Sequence, residues 1–187
     1  MNKKKRLTQL ILVSACFVLL AACTPKTMVP LNYALTTPAV GACTQPTSVL
    51  VFKDARQSRS IGRDGDGNLL QPGSDVADWV GWSLYEELNA AGCNVKYRSM
   101  RQADGLPVVT GEVLDVRMMS TGTTTWKGIV KIRVAVERNG KSEAGETFIG
   151  EVEKPIIFGV NSREEVLTEA LQGVMEQVVP KVVAQLQ

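Results

Sequence analysis

Hydrophobic residues recur with two different periods along residues 48–187, and the two periods predict helices and strands. In two stretches they fall every three or four positions, which is typical of a helix with one buried face. The first predicted helix begins at Ser74 or Asp75, whose side chains can cap free amides, and ends at Gly92. The second begins with a capping box at 162–165, and Pro180 predicts a kink or break inside it.

The other apolar stretches alternate with polar residues, which favours strands that are exposed on one face. In residues 108–119, Leu114, Val116 and Met118 are predicted to share the buried face. Residues 125–138 show the clearest alternation, with Trp126, Val130, Ile132, Val134 and Val136 on the predicted buried face. Shorter strands are predicted at 48–52, 94–99 and 147–153, and a loop or small hairpin at 53–74.

The predicted order of elements is therefore β-α-β-β-β-β-α. Strands with one exposed face need a cover on the other face, and two amphipathic helices supply it. We expect a two-layer α+β fold with a largely antiparallel sheet of about five strands and both helices on one face.

The first 22 residues have the layout of a secretory signal peptide: a basic start at 3–6, a short apolar run at 10–20 and small residues at its end. The run is too short for a transmembrane helix, which needs about 20 residues. Leu20-Ala21-Ala22-Cys23 resembles the lipobox of bacterial lipoproteins. That resemblance implies cleavage before Cys23 and acylation of this cysteine, for example with palmitate. The alternative is an ordinary signal peptide followed by an incidental cysteine.

Residues 23–47 contain prolines at 25, 30, 38 and 46 and several threonines, so we interpret them as a lipidated Pro/Thr-rich tether, with a single edge-strand piece within it. Residues 48–187 are then one periplasmic α+β domain. In lipoproteins of Gram-negative bacteria, a residue other than aspartate after the lipidated cysteine, here Thr24, implies sorting to the outer membrane. The lipid on Cys23 would hold the protein on that membrane.

Four of the 21 basic residues belong to the predicted signal, which leaves a slightly acidic chain. This charge balance argues against a nucleic-acid partner, because such binding requires a basic surface. The chain has no histidine, which excludes Ser-His-Asp and Cys-His catalysis. We therefore predict no catalytic residue, no metal site and no cofactor.

Cys43 and Cys93 remain once the signal and the lipidated cysteine are set aside. An oxidising compartment favours a disulfide between them. Two buried free thiols are the alternative, since spacing alone does not establish that the bond can form.

Two sets of side chains are candidates for a partner surface. Trp79 and Trp82 lie off the apolar stripe of the first helix, where they form an exposed patch or pack inside the domain. Lys131 and Arg133 belong to a basic strip that starts at Lys127 and either meets lipid headgroups or pairs with Glu146 or Glu151. The adjacent Glu86 and Glu87 are interpreted as solvated charges.

Asp64, Asp66 and Asn68 alternate like the first ligands of a calcium loop. The positions that should hold glycine and a bidentate glutamate are Leu69 and Asp75, so turn chemistry is the simpler interpretation.

The succession of lipobox, strand, "RDGDGNLL", "SDVADWVGWSLYEELNAAGCNV", strand meander and final helix resembles the YajG-like family of bacterial lipoproteins. The resemblance covers most of residues 48–187. It implies a small α+β domain anchored to the outer membrane, with no established catalytic site to transfer.

The leading functional hypothesis is a non-catalytic periplasmic interaction or scaffolding module with a protein partner in the cell envelope. The second is an accessory subunit of an envelope lipid or transport system that contacts lipid or a transporter. An enzyme that uses carboxylates is a remote third.

Overall fold

The computed structural model describes residues 26–36, 43–101, 105–138, 141–142, 144–158, 160 and 162–187. The strands in these ranges are β1 (Lys26–Val29), β2 (Thr47–Leu50), β3 (Lys53–Asp54), β4 (Gly62–Arg63), β5 (Leu69–Pro72), β6 (Val95–Arg98), β7 (Val108–Ser120), β8 (Thr125–Arg138), β9 (Lys141–Ser142) and β10 (Glu146–Pro155). The helices are α1 (Val76–Ala90) and α2 (Glu165–Leu186).

Strand β7 lies at the centre of one open sheet. The long strands β7, β8 and β10 pair antiparallel, in that order. On the other side of β7, the short strands β2, β3 and β4 pair with it one after another, all in parallel. Strand β6 lies beyond β2, while β5 and then β1 lie beyond β4. The two-layer α+β fold is confirmed. Strands β6 and β7 pair in parallel with the earlier strands because the chain crosses back through α1 before it forms them.

Helix α2 packs on β8 and β10 at two glycines. A Cβ atom added to Gly150 would lie 1.9 Å from the carbonyl oxygen of Ala170, and one added to Gly128 would lie 2.3 Å from that of Val166. Because glycine has no side chain, the helix backbone approaches the sheet directly at both positions. The remaining space is filled by buried side chains such as Val130, Ile132 and Met175.

The predicted start and end of α1 hold, whereas the capping box predicted at 162–165 forms only in part. Glu165 accepts a 3.1 Å hydrogen bond from the amide of Ser162, but α2 has no side-chain N-cap. Asp75 caps α1 by accepting a hydrogen bond from the amide of Asp78 at 2.8 Å, and Gly92 ends it with a positive φ. The predicted break at Pro180 is wrong, because α2 continues to Leu186. The missing amide of Pro180 costs about 3 kcal/mol, and burial of the flanking Val179 and Val182 offsets this loss.

Leu114 differs from its predicted place on the buried face. The pairing of β7 with β8 shifts register between Val113 and Asp115, so Leu114 is the extra residue of a bulge. Its side chain is half-buried and lines a surface groove, whereas Val116 and Met118 are buried as predicted.

The described part of the predicted tether is folded onto the domain. Strand β1 pairs in parallel with β5, and the following residues 31–36 contact both helices. There the carbonyl oxygen of Asn32 accepts hydrogen bonds from Trp79 and Thr168, one residue from each helix. Among the described residues before position 48, β1 and residues 31–36 therefore pack on the sheet and the helices.

Candidate functional site

Three aromatic side chains, of which one is exposed and two are half-buried, form a cluster where α1 meets the edge of the sheet. Trp82 lies 4.9 Å from Tyr85 and 5.3 Å from Tyr97, measured between ring centroids. Tyr85 and Tyr97 are 6.0 Å apart, so each ring contacts the other two. Trp82 remains 46% exposed, although a tryptophan is highly buried on average. We refer to these three residues as the aromatic cluster.

The local structure positions each ring of the aromatic cluster. Trp82 and Tyr85 are three residues apart on α1 and therefore neighbours on its surface. Tyr97 reaches them from β6, and its hydroxyl donates a 2.8 Å hydrogen bond to Asp78. Burial and this bond to a carboxylate both raise the pKa of Tyr97, so the ring stays neutral. Gly81 allows the approach, because a Cβ there would lie 2.9 Å from the Tyr97 hydroxyl.

Strand β6 leaves one sheet edge beside the aromatic cluster. In the described ranges it pairs with β2 alone, which makes it an edge strand. An extended peptide can add to such an edge, and exposed aromatic rings next to it supply the apolar contacts that an interface needs.

Trp79 does not belong to this surface. Its side chain is buried, and its indole N–H donates a 3.1 Å hydrogen bond to the carbonyl oxygen of Asn32. The alternative in which Trp79 packs inside the domain is therefore the right one, while Trp82 takes the exposed position. The two rings differ because residues 31–36 cover one side of α1 and leave the other side open.

The predicted basic strip is largely paired with acidic residues. Lys127 forms a 2.7 Å ion pair with Glu151, and Arg133 one of 3.2 Å with Glu112. Exposed pairs of this kind contribute about 0–1 kcal/mol each, but they neutralise the charge that an anionic partner would need. Lys131 lines a groove at the side of β7 instead.

That groove, of about 790 Å³, lies where the chain bulges away from β7 between β3 and β4. Its buried Arg56 guanidinium is held by both carboxylate oxygens of Asp54, at 2.9 and 2.8 Å. The hydrogen bonds from Arg56 lower the pKa of Asp54, so the pair stays ionised. Arg117 is likewise bound to Asp115, so these cations have partners within the chain.

Asp64 acts as a turn residue. Its Oδ1 accepts hydrogen bonds from the amides of Asp66 and Asn68, and its Oδ2 accepts one from the Asn68 side chain. Across the described ranges, no group of three Cys, Asp or Glu side chains is placed to hold a metal ion.

Glu87 is a buried carboxylate that the sequence interpretation placed in solvent. Its side chain is fully buried, and its Oε1 accepts hydrogen bonds from the hydroxyl of Tyr33 and from the amide and hydroxyl of Thr36. The signal was present in the sequence, because Glu87 falls on the buried stripe between Leu84 and Leu88. Its three donors come from residues 31–36, so the carboxylate has a structural role.

Cys43 and Cys93 form a disulfide, with their Cα atoms 4.7 Å apart. This confirms the predicted bond and excludes the free thiols. Cys23, the predicted lipidation site, lies outside the described residues. None of the described helices has the length and apolar character needed to cross a membrane.

The chain is similar in fold to known structures at low sequence identity. One is a DUF330-family protein from Xanthomonas campestris, with 16% identity and a TM-score of 0.54, covering 86% of this chain and 94% of that one. Another is a protein described as uncharacterised, with 9% identity and a TM-score of 0.52, covering 86% and 100%. No family model and no curated protein matches the chain. The similarity supports the fold, and the resemblance to the YajG-like family stays a prediction.

Proposed function

We propose that this protein is a non-catalytic interaction module of the cell envelope, anchored by lipid on Cys23 to the outer membrane and facing the periplasm. In this proposal a protein partner binds the aromatic cluster and the adjoining edge of β6. The observation that carries it is the exposure of Trp82, at 46%, within a cluster that two tyrosines hold in place.

The described residues favour binding over catalysis. Glu87 is the one buried acidic side chain among them, and it accepts hydrogen bonds from the chain itself. Lipid carriage would need an apolar cavity between helices and sheet, and buried side chains such as Leu171 and Val174 fill that space.

The proposal can be tested by site-specific crosslinking in intact cells. A photoreactive amino acid replaces Tyr85 in one strain and Ile149 in another, and Trp82→Ala is added to the first. Ile149 is a matched control, because it is 45% exposed but lies on β10, across the sheet from the cluster. We expect a discrete protein adduct from position 85 that Trp82→Ala removes, and no such adduct from position 149.

Two results would contradict this assignment. If Trp82→Ala lowers the melting temperature strongly but leaves the adduct unchanged, Trp82 is a core residue and the cluster is not the interface. If position 85 crosslinks to copurifying phospholipid and to no protein, the alternative of a lipid or transport accessory subunit replaces the leading proposal.

A further inference from the structure

The loop between β10 and α2 exposes a group of large apolar side chains. Phe158 is 103% exposed, Val160 75% and Ile157 54%. Water contact with a whole phenylalanine side chain is unfavourable by about 1.5–3 kcal/mol relative to burial. Such a group on a folded domain is typical of a surface that is covered in the assembled state.

Phe158 lies in a turn that hydrogen bonds and an ion pair connect to the rest of the domain. The amide of Val160 donates a 3.0 Å hydrogen bond to the carbonyl oxygen of Ile157, which places Phe158 within a β-turn. Before the turn, the amide of Ile156 donates to the carbonyl oxygen of Thr124 at 2.8 Å. Lys154, at the end of β10, is bound to Glu165 at the start of α2 at 3.0 Å. The turn is therefore tied to the sheet and to the helix that follows.

This loop lies at the same end of the sheet as Lys26. Strand pairing places a row of residues side by side across the sheet, and β10 continues two residues beyond this row before the turn. From one edge to the other the row is Lys26, Leu69, Arg63, Met119, Lys127 and Glu153. Strand β1 runs away from this end, so its first residue, Lys26, enters the sheet there.

Cys23 is three residues before Lys26, and three extended residues span about 10 Å. A lipid on Cys23 would therefore hold this end of the sheet close to the bilayer. Phe158 lies at the same end of the sheet, so its distance from the bilayer is comparable. The row is about 24 Å long, from five strand spacings of about 4.8 Å. The anchor and the loop thus mark two separate points at one end of the domain, and two such points restrict how the domain can tilt on the membrane.

We infer that Phe158 and its apolar neighbours Ile157 and Val160 insert into the lipid bilayer as a second contact beside the lipid anchor. The occupant of this surface is the interface between headgroups and acyl chains, where apolar and aromatic side chains of peripheral proteins are buried. The inference rests on the lipid anchor of the proposed function. A membrane contact at Phe158 in addition to the anchor would restrict where the aromatic cluster can lie relative to the membrane.

The experiment uses the lipidated protein reconstituted in vesicles of phosphatidylethanolamine and phosphatidylglycerol. Phe158→Cys introduces a single thiol, since Cys43 and Cys93 are bonded to each other and Cys23 would carry the lipid. An environment-sensitive fluorophore is attached there and, in the control, at Arg138→Cys, an exposed position at the opposite end of β8. Mass spectrometry establishes the lipid on Cys23 first.

The expected result is blue-shifted emission at position 158, and loss of that emission when the acyl chains carry a quencher. Position 138 should show neither change. Because the contact is apolar, added salt should leave the quenching unchanged. A lipidated protein whose two labels behave alike overturns the inference but leaves the anchor standing. If the emission at position 158 shifts only when membrane proteins are added to the vesicles, a protein covers the loop and the inference is wrong. If mass spectrometry finds no lipid on Cys23, the proposed anchor and this inference are both wrong.

Discussion

Both helices pack on the sheet and both are hydrogen-bonded to residues 31–36, but the main contacts that hold the two helices differ in kind. The contact of α2 is made by apolar side chains and by two glycines that admit the helix backbone. The contact of α1 with the N-terminal segment is polar, and a covalent bond lies beside it. Glu87 accepts hydrogen bonds from residues 33 and 36, and the disulfide joins Cys43 to Cys93, just after the end of α1. An apolar contact of this kind is encoded by local periodicity, while the polar one requires the N-terminal segment to be in place.

Among the changes that test this difference between the helices, removal of the disulfide should have the largest effect on the free energy of unfolding. The bond closes a loop of about 50 residues, so replacing both partners with Cys43→Ser and Cys93→Ser should lower the free energy of unfolding by about 4 kcal/mol. Urea denaturation of this variant beside the oxidised native protein checks this, with the reduced native protein as the control. An unchanged midpoint would mean that the N-terminal segment does not depend on the bond.

Gly150→Ala tests the contact of α2 with the sheet. The new Cβ would meet the Ala170 backbone, so we expect the free energy of unfolding to fall by about 3 kcal/mol. Gly173→Ala is the matched control, because it lies on α2 with open space around it and should stabilise the helix by about 1 kcal/mol. Equal changes in the two variants would contradict the close approach at Gly150.

Glu87→Ala tests the polar contact of α1. The hydroxyl of Tyr33 and the amide of Thr36 would lose their acceptor, which should cost about 2 kcal/mol. The neighbouring Glu86→Ala should change the free energy of unfolding by about 0.5 kcal/mol or less. Hydrogen exchange should show faster exchange in residues 26–36 of Glu87→Ala alone, and protection equal to the native protein would refute the role of Glu87.

A smaller effect is expected at alkaline pH. Burial of Tyr33, and then its hydrogen bond to Glu87, raise the pKa of the phenol above its usual value of 10.0. The unfolded chain therefore loses this proton first, so the stabilising effect is complete below pH 10 and declines as the pH rises above it. The free energy of unfolding should fall less steeply with pH in Tyr33→Phe than in the native protein. Parallel slopes would show that another group controls this range.

Much of the fold was predictable, because burial of one face leaves a period in the sequence. The alternation in residues 125–138 and the stripe of α2 both describe contacts that a single element makes along its length. The bulge at Leu114 and the continuity of α2 past Pro180 were not predictable, since each depends on how the neighbouring strand or core packs. The candidate site was predictable in part: Trp82 was found, but its partners Tyr85 and Tyr97 were not, because Tyr97 comes from another element.

The amino-acid sequence by itself indicated both helices and the long strands, favoured a bond between Cys43 and Cys93, and contains the lipobox that predicts an anchor. Only the tertiary structure decided that Trp79 is buried and Trp82 exposed, that Glu87 lies in the core, and that Phe158 shares an end of the sheet with Lys26. The physical reason is the distance along the chain between the residues that make the deciding contacts. Periodicity records what one element buries, whereas these three outcomes depend on where a segment far along the chain docks.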